Sequence, residues 1–332
     1  MRWEPWSVPP PDPDRDRPQP SPRIAGSDVA GARASRILAA LRAACAHHGL
    51  DATDARLIHH YSNAVFLLPA VNLVARLAQG ANTGDRPRRT QAVVEWLVEA
   101  HAFPATAPAG IEAVTVQPDI TVTFWRYYPP TDPASALTSA HLGRLLRRLH
   151  SITDPTPSSL QRWVPLEALD AALNDPETSQ GLTPAEHDWV HHEIRALRHD
   201  LGLLESPLGY GLIHGDAWAG NLLWDRTTDP TTAILGDWDW VSHGPREVDL
   251  IPTWHATRRY GRTAVWTKAF ADVYGYDLTN GPGLETWMRM RDLVQLTGPL
   301  RRARHSHRHR EALHERLSAI RAGDTTSTWL AL

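Results

Sequence analysis

Apolar positions first recur at helical spacing after Ser35. Ile37, Leu38, Leu41, Ala44, Cys45 and His48 follow the 3.6-residue period and predict a helix. The spacing then shortens. In NAVFLLPAVNLVARLA, the apolar runs at residues 64–68 and 73–77 flank a turn containing Pro69 and Asn72, and predict two strands. A helix is expected over 88–101, then strands near 111–116 and 120–125. RYYPPTDP, starting at Arg126, interrupts the pattern and predicts a hinge. Beyond it the period is again helical. Leu142, Leu145, Leu146 and Leu149 mark one amphipathic helix. Thr183-Pro184-Ala185-Glu186 is a capping box with proline at the first helical position, so a second helix starts there. Further helices are expected over 248–260, 264–274, 284–296 and 309–321. The pattern predicts an α+β chain in three parts: a tail (1–33), a small β-rich lobe (34–127) and a larger, mainly helical lobe (128–332).

Composition sharpens this at a few points. The first 33 residues are rich in Pro, Asp and Arg and too poor in apolar groups to offset their ordering entropy, so the tail is expected to be disordered. The whole chain, 42% hydrophobic and 21% charged, has ordinary globular composition. A net charge of -3 gives no reason to expect a nucleic-acid partner. A single cysteine, Cys45, excludes a disulfide framework and a four-cysteine zinc site. No apolar run is long enough to span a membrane, and the N-terminal stretch lacks the apolar segment of a signal peptide. The expected setting is the cytoplasm. Lys268 is the only lysine, so nearly every candidate phosphate contact must come from arginine or from backbone.

The chemistry concentrates in IHGDAWAGNLLWDRTTDPTTAILGDWDW, which carries His214, Asp216, Asn221, Asp237 and Asp239 among apolar runs. GLIHGD reads as a strand ending in polar residues. NLLW and AILGDW read as a hairpin whose connection is full of turn formers. Such a hairpin brings Asn221, at the start of its first strand, near Asp237, at the end of its second. Asp216 lies five residues before Asn221, across a loop containing Gly220. Each residue alone can shape a turn. Together they form an oxygen-rich group suited to a hard cation such as Mg²⁺, with a carboxylate left over as base, which is what phosphoryl transfer needs.

HGDAWAGNLLW resembles the H-G-D-x-x-x-x-N motif of aminoglycoside phosphotransferases and choline kinases, which share the protein-kinase-like fold. ILGDWDW resembles their metal motif, with Gly236 before the aspartate, and GPREVDL their following G-P-x-x-x-D-L segment. The resemblance covers roughly residues 35–332 and implies a bilobal fold. It implies that Asp216 is the catalytic base, that Asn221 and Asp237 hold Mg²⁺, and that His214 and the buried Asp249 support the catalytic loop. ATP or GTP would be the co-substrate. Ser62 and Asn63 would lie in the turn covering the triphosphate, and Arg76 would take the place of the phosphate-binding lysine. The helical glutamate that usually pairs with that lysine falls at Thr90. Backbone groups near Trp125 to Tyr127 would read the purine edge.

The acceptor is expected among the helices after Asp239, with Trp218, Asp239 and Trp254 as candidate contacts. Asp239 and Glu247 are carboxylates able to attract a cationic acceptor such as an aminosugar. The basic run RRARHSHRHR is expected to be a solvated face. These readings converge on a small-molecule kinase acting on a hydroxyl of an aminoglycoside or other antibiotic-like natural product. The alternative is a metabolic kinase for choline, a sugar or an amino alcohol. With 11 residues between Asp237 and Asp249 there is no room for the long activation loop of a protein kinase.

Overall fold

The computed structural model describes residues 26–60, 63–79, 85–129, 136–157, 160–225 and 232–332. Most of the expected tail, with Trp3 and Trp6, lies outside these residues, as do Ser62 and the end of the expected hinge. Helix α1 spans Gly26–His47 and so begins well before Ser35. Its buried stripe of Ile37, Ala40, Leu41, Ala44 and Cys45 packs into one core with the sheet that follows.

That sheet contains β1 (Arg56–His60), β2 (Asn63–Leu68) and β3 (Leu73–Gln79). Helix α2 (Arg86–His101) follows, then β4 (Val114–Gln117) and β5 (Ile120–Arg126). All five strands pair antiparallel in the order β1-β2-β3-β5-β4. In β2 the alternate residues Ala64, Phe66 and Leu68 face the α1 core together with Ile120, Val122 and Phe124 of β5. Asn72 closes the β2–β3 turn in the left-handed region, φ 53°, a conformation asparagine tolerates better than most residues. Arg76 sits mid-sheet, opposite Val65 on one side and Thr123 on the other.

The chain then becomes helical: α3 (Ser139–His150), α4 (Glu167–Asn174) and α5 (Pro184–Gly202). The expected capping box starts α5. Glu186 N donates to Thr183 Oγ1 at 3.3 Å, and Thr183 N donates back to Glu186 Oε2 at 2.8 Å. Four short strands follow: β6 (Tyr210–Ile213), β7 (Leu222–Trp224), β8 (Ala233–Leu235) and β9 (Ser242–Pro245). β6 pairs antiparallel with β9, and β7 pairs with β8. The chain ends in α6 (Glu247–Arg259), α7 (Ala264–Tyr274), α8 (Leu284–Val294), α9 (Thr297–Arg302) and α10 (His307–Arg321). Gly143 lets α3 lie close along α7, since a Cβ there would come within 2.9 Å of the Phe270 carbonyl oxygen.

These elements form two units that interleave in sequence. One contains Met1–Leu137, Thr156–Ser159 and Leu223–Asp239; the other contains Thr138–Pro155, Leu160–Leu222 and Trp240–Leu332. The sheet unit therefore takes in β8, which is stitched to the segment after α2. Thr106 N donates to Leu235 O and Leu235 N to Pro104 O, both at 2.9 Å.

Candidate active site

In the helical unit, β6 carries apolar Leu212 and Ile213 into the core and ends at His214-Gly215-Asp216. Gly215 has φ +86°, and a Cβ on it would lie 2.2 Å from the Trp240 carbonyl oxygen, so only glycine fits this turn. The turn wraps a fully buried carboxylate. Asp249, in the first turn of α6, accepts hydrogen bonds from His214 N and Gly215 N, both at 2.7 Å. Its Oδ2 also meets His150 Nε2 at 3.0 Å, and His150 Nδ1 lies 2.8 Å from the Tyr274 hydroxyl. Burial pushes the Tyr274 hydroxyl pKa up, and the Asp249 charge adds to the shift, so the phenol keeps its proton as a donor.

Asp216 follows directly in the chain. Its carboxylate receives Arg291 Nη1 from α8 at 2.9 Å. Its carbonyl oxygen accepts Asn221 Nδ2 at 3.0 Å. That bond fixes the carboxamide with its NH₂ group inward, which assigns the amide oxygen as the group able to bind a cation. Between them, the Trp218 ring lies across Gly220, where an added Cβ would come within 2.1 Å of the ring. Trp218 is 50% exposed.

In the sheet unit, β8 leads into Gly236-Asp237-Trp238-Asp239. Trp238 is the anchor: it is buried, its Nε1 donates to Leu235 O at 2.9 Å, and its ring meets Phe103 edge-on at 5.8 Å. Asp237 next to it takes φ 62°, a strained conformation for a residue with a Cβ, and its side chain is 49% exposed. Arg76 Nη2 donates to Asp237 Oδ1 at 2.7 Å and also bonds Asp239 Oδ2. Asn63 Nδ2 donates to the same Asp239 oxygen at 2.6 Å. Burial disfavours the Arg76 charge, but the Asp239 and Asp237 carboxylates outweigh it and raise its pKa, so it stays protonated. In the helical unit Asn221 offers an amide oxygen, and in the sheet unit Asp237 offers a half-exposed carboxylate; each is a donor suited to Mg²⁺ or Ca²⁺ rather than to a soft metal.

Several expected residues stand elsewhere. Trp254 is buried edge-on against Phe270 at 5.5 Å; its indole fills the space between α6 and α7 rather than an acceptor-facing surface. Glu247 is buried too, accepting Ser206 Oγ at 2.6 Å and Leu208 N at 3.0 Å, so it attracts no acceptor. Trp125 belongs to β5 opposite Val74, with its indole N–H on Thr123. The amides of Arg126 and Tyr127 donate to Ala107 O and Asn72 O, and are thus engaged inside the unit. His150, Tyr274 and Arg291 carry no motif. Only His150, on the apolar stripe of α3, offered a sign in the sequence.

The model of the phosphotransferase enzyme family matches residues 54–293, well over half of the chain. The chain belongs to this family. It is a small-molecule phosphotransferase with an alcohol group as acceptor. Solved structures of the same fold support the assignment of a bilobal, kinase-like architecture. An amicoumacin kinase in complex with AMP-PNP, Ca²⁺ and Ami aligns with TM-score 0.60 at 13% identity, covering 83% of this chain and 90% of that one. The microcompartment-associated aminopropanol kinase aligns with TM-score 0.59 at 19% identity, covering 80% and 90%. Aminoglycoside phosphotransferase APH(3'')-Id from Streptomyces rimosus aligns with TM-score 0.55 at 17% identity, covering 78% and 97%. Comparison with curated proteins returns no significant match. Among the described residues, no helix of this phosphotransferase is long and apolar enough to cross a membrane.

Proposed function

We propose that this phosphotransferase transfers the γ-phosphoryl group of ATP or GTP to a hydroxyl of an aminoglycoside or other antibiotic-like natural product. The reading rests on one observation above the rest: the loop that carries Asp216 is built around the buried carboxylate of Asp249. Asp249 gathers the amides of His214 and Gly215, and Asn221 ties its amide to the Asp216 carbonyl. A solvated turn has no need of a buried carboxylate at its centre.

In this reading Asp216 receives the proton of the acceptor hydroxyl as its oxygen bonds the γ-phosphorus and the bond to the β-phosphate oxygen breaks. Arg291 holds the Asp216 carboxylate in place while it waits. Asn221, through its amide oxygen, and Asp237, through its carboxylate, would each hold Mg²⁺, as the family resemblance implies, and the ion would neutralise phosphate charge when bound. Arg76 would offer its guanidinium to phosphate oxygens, and Asn63, the first residue of β2, would add its amide. Trp218 presents an aromatic face to a sugar ring. An antibiotic-like acceptor is also supported by the amicoumacin kinase and the aminoglycoside phosphotransferase among the structures of like fold.

The test is phosphate release and acceptor phosphorylation by purified protein with Mg²⁺ and ATP or GTP. The acceptors are aminoglycosides, other hydroxylated antibiotics, choline, sugars and amino alcohols. Resistance of a sensitive host expressing the gene is measured in parallel. Transfer to an antibiotic with matching resistance supports the reading; turnover of choline, a sugar or an amino alcohol alone replaces it with the metabolic one. Asp216→Asn abolishes transfer while leaving nucleotide binding nearly intact. Near-normal turnover in that variant overturns the assignment of the base.

A further inference from the structure

Kinases of this general architecture hold the phosphate-binding cation of the third strand with a carboxylate from the following helix. Among the described residues, the carboxylates that pair with Arg76 are Asp237 and Asp239, and neither lies on that helix. Its buried face consists of Thr90, Gln91, Val93, Val94 and Leu97, and Gln91 is spent on the Ile111 carbonyl oxygen at 2.6 Å. An unheld guanidinium on a strand would sweep through many rotamers, and phosphate binding would bear the cost of ordering it.

The carboxylate comes from another part of the chain. Asp239, two residues past Asp237, bonds Arg76 Nη2 from β3 and accepts Asn63 Nδ2 from the first residue of β2. Asn63 is buried, and Trp238 pins the backbone between the two aspartates. One carboxylate therefore braces the strand carrying the cation and the first residue of β2. We infer that Asp239 is a positioning residue for nucleotide binding: it replaces the helical glutamate as the anchor of Arg76, and it does so from the segment that carries the metal-ligand candidate Asp237. The inference rests on the kinase reading above. It differs from a ligand role for Asp239, because a residue that acts through Arg76 loses its effect when Arg76 is removed.

The experiment is a double-mutant cycle read by binding of fluorescent ATP and GTP analogues with Mg²⁺, without acceptor and without turnover. Asp239→Asn and Arg76→Met are each expected to weaken binding about tenfold, and the double variant is expected to be no weaker than either single one. Circular dichroism and thermal unfolding of each variant verify folding. Asp239→Glu, which keeps the charge, is expected to recover part of the affinity. Additive losses, roughly a hundredfold in the double variant, overturn the inference. So does an Asp239→Asn effect on the Mg²⁺ requirement that persists in the Arg76→Met background, which would make Asp239 a metal ligand. A wild-type protein that binds neither analogue instead overturns the kinase reading itself.

Discussion

Asp249→Ala tests most directly the construction of the loop that carries Asp216, the proposed base. The carboxylate is fully buried and accepts three donors: two backbone amides at 2.7 Å and His150 Nε2 at 3.0 Å. Each buried donor left without an acceptor costs about 1–3 kcal/mol. Partial relaxation and entry of water reduce the simple sum, and removing one member of a buried charged network typically costs about 3–5 kcal/mol. A loss of about 4 kcal/mol is expected, out of a total stability on the order of 5–15 kcal/mol. At roughly 2–4 °C per kcal/mol for a domain of this size, the midpoint of thermal unfolding should fall by about 10 °C. Asp249→Asn keeps one oxygen but turns an NH₂ group towards a donor, so it should fall about half as far. Calorimetry of the nucleotide-free protein reads both values, and kcat should drop in the same order because the loop carries Asp216. An Asp249→Ala midpoint within about 2 °C of wild type refutes the reasoning, since the amides would then have found other acceptors at no cost.

Other outcomes follow from the same structure. Burial holds the His255 pKa down at about 4, against a hydrogen bond to Asp292. The folded state thus leaves this imidazole neutral where the unfolded chain takes up a proton. Its contribution is complete above the unfolded pKa of about 6.5 and is lost as pH falls towards 4, at about 1.4 kcal/mol per pH unit. Urea midpoints of wild type should therefore fall more steeply between pH 7 and 5 than those of His255→Gln; parallel slopes count against it. Arg291→Ala, which frees the Asp216 carboxylate, should lower kcat about tenfold, a barrier change of ~1.4 kcal/mol, with nucleotide KM unchanged. Trp329→Ala removes a buried indole that packs 4.3 Å from the Arg259 guanidinium and edge-on to His255. It should destabilise by about 3–5 kcal/mol in chemical denaturation.

The legible parts of this fold were those where local pattern and tertiary packing agree. The apolar run of β2, the leucine stripe of α3 and the capping box of α5 each state their structure within a dozen residues. β1 was not legible because Leu57 and Ile58 are adjacent and both exposed, so the edge strand shows no alternation. β9 reads Ser-His-Gly-Pro, with no strand propensity. It exists because β6 supplies the ladder, and because the glycines at 211 and 244 leave room for the Arg246 guanidinium and the Trp163 side chain. α4 and α9 are too short for a period to declare itself. Spacing singled out the residues of the Asp216 loop but could not supply their partners. Arg291 lies 75 positions from Asp216, and Arg76 lies 163 from Asp239. Only the folded chain makes those pairs.

The interleaving of the two units bears on how the chain is born. The sheet unit runs to Leu137 but is completed by Leu223–Asp239. At about 5–20 residues per second, a ribosome needs roughly 5–20 s to reach that closing segment. Until then Arg76 and Asn63 have neither aspartate, and the backbone after α2 lacks the Leu235 amide and carbonyl that stitch it. The nascent sheet unit must wait for that segment while most of the residues between Leu137 and Leu223 form part of another unit. A fragment ending at Leu137 should therefore behave as an incomplete domain in the test tube: weakly protected against hydrogen exchange and easily proteolysed. Adding residues 223–239 in trans as a peptide is the direct way to complete it.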